Sequence, residues 1–137
     1  MRYQNEDKKY HFAPHLVYSC QYHVIFCPKY RREVLVSPLD EALKEMFIEC
    51  AELHGFRVTD AEVMSDHVHL IIDCDPKYGV LRYVKDPKYY TAKHMREQFP
   101  KLKSKLPCMW TRSAFVSYVG SFSLDIVKKY LMEQKIQ

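Results

Sequence analysis

Apolar and polar positions along the chain alternate in blocks that predict seven secondary-structure elements. Runs rich in β-branched and aromatic residues indicate strands, whereas apolar residues at three-four spacing indicate helices. The predicted strands cover 16–27, 56–64, 67–74 and 109–120, and the predicted helices cover 37–55, 77–99 and 123–135.

Signals at the ends of these blocks refine the prediction. Ser37 is expected to cap the first helix, Gly55 to stop it, and Ser65-Asp66 to form a tight turn between two strands. Pro87 is expected to break or kink the second helix. The apolar stretch Val34 to Val36 is read as the arm of a hairpin that pairs back on the first strand.

The order of the first six elements is strand, helix, strand, strand, helix, strand. This is the βαββαβ pattern of an α+β, ferredoxin-like antiparallel sheet, also found in RNA-recognition modules, with one helix appended at the carboxyl end. We expect a single domain over 1–137, a flexible tail over 1–14, and a terminal helical segment over 122–137.

Composition excludes several classes of protein. No apolar stretch approaches the roughly 20 residues that span a bilayer, and the amino terminus is polar, so we expect a cytoplasmic protein without a membrane partner. The five cysteines form no CxxC pair, which favours reduced thiols over disulfides or a zinc site.

Charge is unevenly distributed along the chain. Residues 37–76 contain ten acidic and two basic side chains, whereas residues 77–105 contain nine basic and two acidic ones with tyrosines between them. Basic and aromatic side chains together suit a phosphate backbone with unstacked bases. A solvated helical face would have the same composition, so nucleic acid is one of two readings at this point.

His67 and His69 are the first candidates for chemistry. Alternation along a strand places both imidazoles on one face, with Cα atoms about 7 Å apart, where they can converge on one ion. Two solvated surface histidines would show the same spacing. Asp66, just before the pair, either caps the turn or orients His67.

Tyr130 and Gln134 are the second pair of candidates. They stand four residues apart on the final helix and therefore project from one face. A lone tyrosine at this position is usually a packed aromatic at the edge of an amphipathic helix. The glutamine oxygen is an acceptable third ligand beside two imidazoles, and this donor set favours Mg²⁺ or Mn²⁺ over structural zinc.

These residues also carry a resemblance to a known family. The segments VYSCQYHVIFCPKYRREVLV, EVMSDHVHLIIDCDP, WTRSAFVSYVG and VKKYLMEQ, spread over residues 16–135, resemble the small single-tyrosine HUH transposases (TnpA-like) of bacterial insertion sequences. The HUH motif, which is two histidines around a hydrophobic residue, corresponds to His67, Val68 and His69.

The resemblance implies a mechanism and partners. Tyr130 would attack single-stranded DNA, form a 5′-phosphotyrosine link and free a 3′-hydroxyl, while His67, His69 and Gln134 would hold one Mg²⁺ or Mn²⁺ ion. It also implies a homodimer that recognises DNA hairpins at the ends of a mobile insertion sequence, with Tyr130 acting in trans on the partner's histidine pair.

Contacts to DNA are less well defined by the sequence. The predicted phosphate-binding residues are basic side chains from three parts of the chain, namely Lys29, Arg31, Arg32, Lys85, Lys88, Lys93 and Arg112. Where close relatives have a Lys-Gly-Arg/Lys-Ser/Thr-Ser run, this chain has residues 88–92, KYYTA, after Asp86 and Pro87. The preferred DNA sequence is therefore not predictable here.

Two other functions stay open at this point. A non-catalytic nucleic-acid-binding relative would need none of the four candidate residues. A replication-initiation or relaxase-type nickase would use the same chemistry, but those proteins usually carry extra domains.

Overall fold

The core of the protein is a four-stranded antiparallel sheet with the order β4-β5-β3-β6. The computed structural model describes residues 11–13, 16–18, 20–119 and 124–136. Its strands are β1 (His11–Ala13), β2 (Leu16–Tyr18), β3 (Gln21–Phe26), β4 (Arg57–Met64), β5 (His67–Asp73) and β6 (Phe115–Tyr118), with β1 and β2 paired as a separate hairpin. This topology confirms the predicted ferredoxin-like α+β fold.

Four helices accompany the sheet. They are α1 (Leu39–His54), α2 (Val80–Gln98), α3 (Lys101–Lys105) and α4 (Leu124–Glu133), and short 3₁₀ turns follow at Gln134–Ile136 and precede α1 at Lys29–Arg31. The apolar face of α1 packs against one face of the sheet, where Leu43 and Phe47 join Val24 and Phe26 in a fully buried cluster. None of the described helices is long and apolar enough to cross a membrane.

Of three predictions about the ends of elements, two are wrong and one is confirmed. Val34 to Val36 form no strand, because Leu35 is buried and donates its N–H to the carbonyl of Ser65 instead of pairing with β3 (3.0 Å). Ser37 does not cap α1, which begins after Pro38 without a side-chain cap. Gly55 does end the helix, in the left-handed conformation (φ 75°).

Helix α2 runs without interruption through Pro87, so the predicted break is absent. The hydroxyl of Thr91 donates to the carbonyl of Pro87 (2.6 Å) within this part of the helix. The neighbouring Trp110 donates its indole N–H to that same hydroxyl (3.1 Å). The bond from Trp110 ties α2 to the segment before β6.

Two predicted strands are shorter than expected. The first divides into β2 and β3, and the last is reduced to β6 because only Trp110 of the preceding segment pairs, in an isolated bridge with Pro28. The flexible tail expected over 1–14 lies outside the described residues for its first ten positions, whereas His11–Ala13 form β1. Ser123, which the sequence predicts as the cap of the final helix, also lies outside them.

The described cysteines are free thiols, in line with the sequence. Cys27, Cys50 and Cys74 are buried, and burial raises the pKa of each to about 12. They are therefore protonated thiols of the core at neutral pH.

Candidate active site

The two histidines of the HUH motif lie on the sheet face opposite α1. Along β5 they alternate with Val68 and Leu70, which are completely buried in the core. His67 and His69 are half-buried and share the second face, as strand alternation predicts.

Asp66 holds the ring of His67 from the turn before β5. Its Oδ1 lies 2.8 Å from His67 Nδ1, so the contact expected from the sequence is present. A carboxylate bonded to one ring nitrogen fixes the tautomer and the orientation of the other nitrogen, here Nε2. Burial raises the pKa of Asp66, but the hydrogen bond from His67 and the charge of Arg31 outweigh it and hold this pKa below its usual value.

His23 is a site residue that sequence reasoning missed. Its Nδ1 lies 2.8 Å from His69 Nε2, and the two rings stack with centroids 5.0 Å apart. Burial, and then the proximity of His69, lower the pKa of His23 and so favour a neutral ring. The pairing of β3 with β5 creates this contact, and only a predicted strand register could have revealed it.

Tyr130 and Gln134 meet at a single hydroxyl, that of Ser113. The Ser113 hydroxyl donates to Gln134 Oε1 (2.9 Å) and lies 3.3 Å from the Tyr130 hydroxyl, while Gln134 Nε2 donates to the Tyr130 carbonyl (3.3 Å). Gln134 is only 2% exposed. Burial raises the pKa of Tyr130 to about 12, so the phenol is protonated at neutral pH.

The tyrosine reaches the face that carries the histidines. The Tyr130 ring contacts the Phe115 ring, with centroids 5.9 Å apart. Phe115 on β6 pairs with Ile25 on β3, and Ile25 pairs with His69 on β5. Residues paired across neighbouring strands share a face. With strands about 4.8 Å apart, the backbones at Phe115 and His69 are separated by about 10 Å, so Tyr130 and the histidine pair occupy one side of the sheet.

A second connection joins α4 to the histidine strand through Arg31. Its Nε donates to Asp66 Oδ2 (2.8 Å), and its Nη1 donates to the carbonyl of Leu131 (2.9 Å). The guanidinium predicted to meet phosphates is thus used inside the protein, between the residue that orients His67 and the helix that carries Tyr130.

Lys88 is also used inside the protein. Its ammonium donates to the carbonyls of Thr111 (2.7 Å) and Ser113 (2.8 Å) and lies 5.4 Å from the centre of the Phe26 ring. Burial lowers the pKa of this lysine to about 8. We therefore leave Lys88 out of the candidate DNA interface and assign it to the support of the Ser113 loop.

The remaining predicted DNA contacts are accessible. Lys29 is half-buried beside the ring of Tyr30 (5.1 Å), and the exposed ones are Arg32, Lys85, Lys93 and Arg112. Lys93 also lines an open cleft of about 450 Å³ together with Tyr89, Arg96 and Lys103. Basic side chains beside an exposed tyrosine suit a nucleic-acid backbone and a stacked base.

The candidate donors for a divalent ion are two imidazoles and one amide oxygen. Within 20–119 and 127–135, no three His, Cys, Asp or Glu side chains come together as a metal site. The amide oxygen of Gln134 is a candidate ligand of another type. Two imidazoles with one neutral oxygen fit an ion that completes its coordination with water or phosphate oxygens.

The sheet, the His-Val-His pair and the helix-borne tyrosine together define the class of single-tyrosine HUH transposases. The family model described as "Transposase IS200 like" matches residues 16–134, and the chain belongs to this family.

Individual relatives agree with this assignment. The chain is 35% identical over 120 residues to ISDra2 transposase TnpA of Deinococcus radiodurans, covering 86% of each protein. It is 30% identical to the transposase for insertion sequence element IS200 of Salmonella typhimurium, covering 89% of this chain and 84% of the relative.

Solved structures show the same fold. A structure from Deinococcus radiodurans R1, assigned as a transposase, superposes with a TM-score of 0.85 at 30% identity, over 90% of this chain and 97% of the other. A REP-associated tyrosine transposase bound to a REP hairpin has a TM-score of 0.50 at 13% identity, over 82% and 62% of the two chains, and shows a likeness of fold alone.

Proposed function

We propose that this transposase cleaves and rejoins single-stranded DNA through a 5′-phosphotyrosine at Tyr130. The observation that carries the proposal is the connection of two elements far apart in sequence. The helix that holds Tyr130 is joined through Arg31 and Asp66 to His67, which brings Tyr130 and the histidine pair into one connected site.

The covalent step is a transesterification. The Tyr130 oxygen attacks phosphorus, the bond from phosphorus to the 3′-oxygen breaks, and the freed 3′-hydroxyl gains a proton while the phenol loses one to solvent. Because the phosphodiester energy is retained in the new bond, attack by another 3′-hydroxyl reverses the step and joins strands without ATP.

His67, His69 and Gln134 would hold the divalent ion, either Mg²⁺ or Mn²⁺. When bound, it supplies positive charge that polarises the phosphate and favours the phenolate. Asp66 keeps the ring of His67 oriented for this role, and Ser113 fixes the amide of Gln134 through one of the two lone pairs on its oxygen, leaving the second for a ligand bond.

DNA is the proposed partner, and hairpins at the ends of an insertion sequence are the proposed substrates. The relatives are named as transposases of insertion sequences, and one structural neighbour is bound to a REP hairpin. Support from this chain comes from the exposed basic residues Arg32, Lys93 and Arg112.

The decisive experiment detects the covalent link. Incubation with hairpin-containing single-stranded DNA and Mn²⁺ should give an adduct on a denaturing gel, and Tyr130→Phe should abolish it. Tyr78→Phe is the matched control, because Tyr78 is an exposed tyrosine outside the site. An adduct that persists in Tyr130→Phe would overturn the assignment of the nucleophile.

We further propose that the protein acts as a homodimer, with Tyr130 serving the histidine pair of the partner. The single chain places α4 against its own Ser113 and Arg31, so exchange between subunits requires a direct test. Mixing Tyr130→Phe protein with a His67→Ala/His69→Ala variant should restore adduct formation. Absence of activity in proven heterodimers would assign the site to one chain.

A further inference from the structure

The turn that carries Arg31 is unusual in its backbone. Tyr30 and Arg31 both have positive φ values, 60° and 51°. Side chains other than glycine disfavour this region by roughly 1–2 kcal/mol per residue. Such conformations persist where the surroundings enforce them, and they cluster at functional sites.

The surroundings of this turn are well defined. Its backbone is anchored by hydrogen bonds from Lys29 N to the carbonyl of Met109 (2.9 Å) and from Arg31 N to the carbonyl of Pro28 (2.7 Å). Within this frame the guanidinium is directed inward, where its side chain is only 16% exposed. The strained turn therefore sets the direction of one side chain.

Arg31 makes one contact on the histidine side. The two carboxylate oxygens of Asp66 have different partners. Oδ2 accepts a hydrogen bond from Arg31, and Oδ1 lies against His67 Nδ1. A charge-assisted bond from a planar guanidinium fixes the orientation of a carboxylate better than a flexible partner would. Arg31 thus affects the orientation of the His67 ring indirectly, through Asp66.

The other contact is on the helix side. Leu131 directly follows Tyr130, and its carbonyl belongs to the last turn of α4, where carbonyls have no partner within the helix. A guanidinium at this position satisfies the carbonyl and also opposes the negative end of the helix dipole. Arg31 therefore stabilises the seated position of α4, in which the helix contacts Ser113, Phe115 and Arg31.

We propose that Arg31 is a positioning residue that couples the seating of α4 to the orientation of His67. Three hydrogen bonds in series link the Leu131 carbonyl to the His67 ring through Arg31 and Asp66. When α4 leaves its seat, the guanidinium loses one of its two partners and the carboxylate loses part of its restraint. The metal-binding nitrogen of His67 is then held correctly only while the tyrosine helix is in place. This consequence rests on the proposed function, because it takes His67 as a metal ligand.

Arg31→Gln tests the coupling, and Arg32→Gln is its matched control. Both variants remove one positive charge from adjacent positions, but Arg32 is exposed and makes neither contact. In Arg31→Gln, amide hydrogen exchange in α4 should be at least about tenfold faster, and affinity for Mn²⁺ should fall about tenfold. Arg32→Gln should change either quantity by less than about twofold.

Two further measurements separate the effect of Arg31 on α4 from its effect on His67. Nitrogen NMR of the metal-free protein reports which ring nitrogen of His67 carries the proton, and this signal should shift in Arg31→Gln but not in Arg32→Gln. In an Asp66→Asn background, Arg31→Gln should still accelerate exchange in α4 but should no longer affect Mn²⁺ affinity, because the connection to His67 is already broken.

The outcomes are distinguishable from failure of the proposed function. Equal exchange in the two arginine variants would refute the contact to α4. Faster exchange with an unchanged His67 signal would refute the coupling. If wild-type protein does not bind Mn²⁺, the metal site fails, whereas the exchange and NMR measurements still decide the role of Arg31.

Discussion

Replacing Lys88 with methionine tests whether this lysine supports the Ser113 loop or contacts DNA. Its ammonium makes two charge-assisted bonds, to the carbonyls of Thr111 and Ser113, worth roughly 1.5–3 kcal/mol each. Burial opposes them, since a fall in pKa from 10.5 to about 8 corresponds to a cost of about 3 kcal/mol. Methionine fills the space but leaves both carbonyls without this donor. We expect the free energy of unfolding to fall by about 2 kcal/mol at neutral pH.

The pH dependence has a definite sign. The folded-state pKa of Lys88 lies below its unfolded value, so between about pH 8 and 10.5 the unfolded chain binds more protons than the folded one. The stability of the wild type should therefore rise relative to Lys88→Met across this window. Urea unfolding at several pH values measures this difference.

Lys93→Met is the control for Lys88→Met, since it removes the same charge from an exposed position of the same helix. We expect it to leave stability within about 0.5 kcal/mol of the wild type and to weaken the salt dependence of DNA binding. The support role of Lys88 would be refuted if Lys88→Met matched Lys93→Met in stability and also reduced the salt slope, which is the behaviour of a phosphate contact.

Three further changes test other parts of the structure. Ser113→Ala removes the donor to a buried amide oxygen and should cost about 1–2 kcal/mol in urea unfolding, whereas Ser104→Ala, which loses only a bond on an exposed helix, should cost less. Because burial raises the pKa of Tyr130 from 10.0 to about 12, its contribution to stability is complete below about pH 10 and is lost as pH rises through 12. Raising the pH from about 10 to 12 should therefore lower the free energy of unfolding of the wild type relative to Tyr130→Phe by roughly 2 kcal/mol. A difference between the two proteins that stays constant over this pH range would contradict the raised pKa. Gly55→Ala should destabilise α1 by about 1 kcal/mol because φ is 75°, while Gly79→Ala, at a negative φ with equally open space, should be nearly neutral in thermal unfolding.

Local patterns were sufficient to predict the sheet and the face on which the histidines lie. Strand alternation around Val68 and Leu70 determines where His67 and His69 point, whatever packs against them. The ends of elements were harder to predict, because tertiary contacts decide them. Leu35 bonds to Ser65, and Pro87 lies inside a helix that is tied to Trp110 through Thr91.

The polar connections of the site could not be read from the sequence, because each joins segments far apart in the chain. His23 meets His69 only through the register of β3 and β5. Ser113 lies in the segment predicted as the last strand, and the sequence does not reveal that it contacts both Tyr130 and Gln134. Arg31 lies in a basic run, which predicts phosphate contacts until the structure shows its guanidinium between Asp66 and α4.

The surface that receives α4 bears on whether Tyr130 works within one chain or between two. The described contacts of the helix end are made to Ser113, Phe115 and Arg31, all of which lie outside the helix. An exchange of identical helices between two subunits would preserve every one of these contacts, since each receiving surface would gain the same helix from its partner. The two arrangements would then differ little in contact energy, and the path of the connection to α4 would decide between them. The coupling through Arg31 would operate in both, because it senses whether a helix is seated and not which chain supplies it.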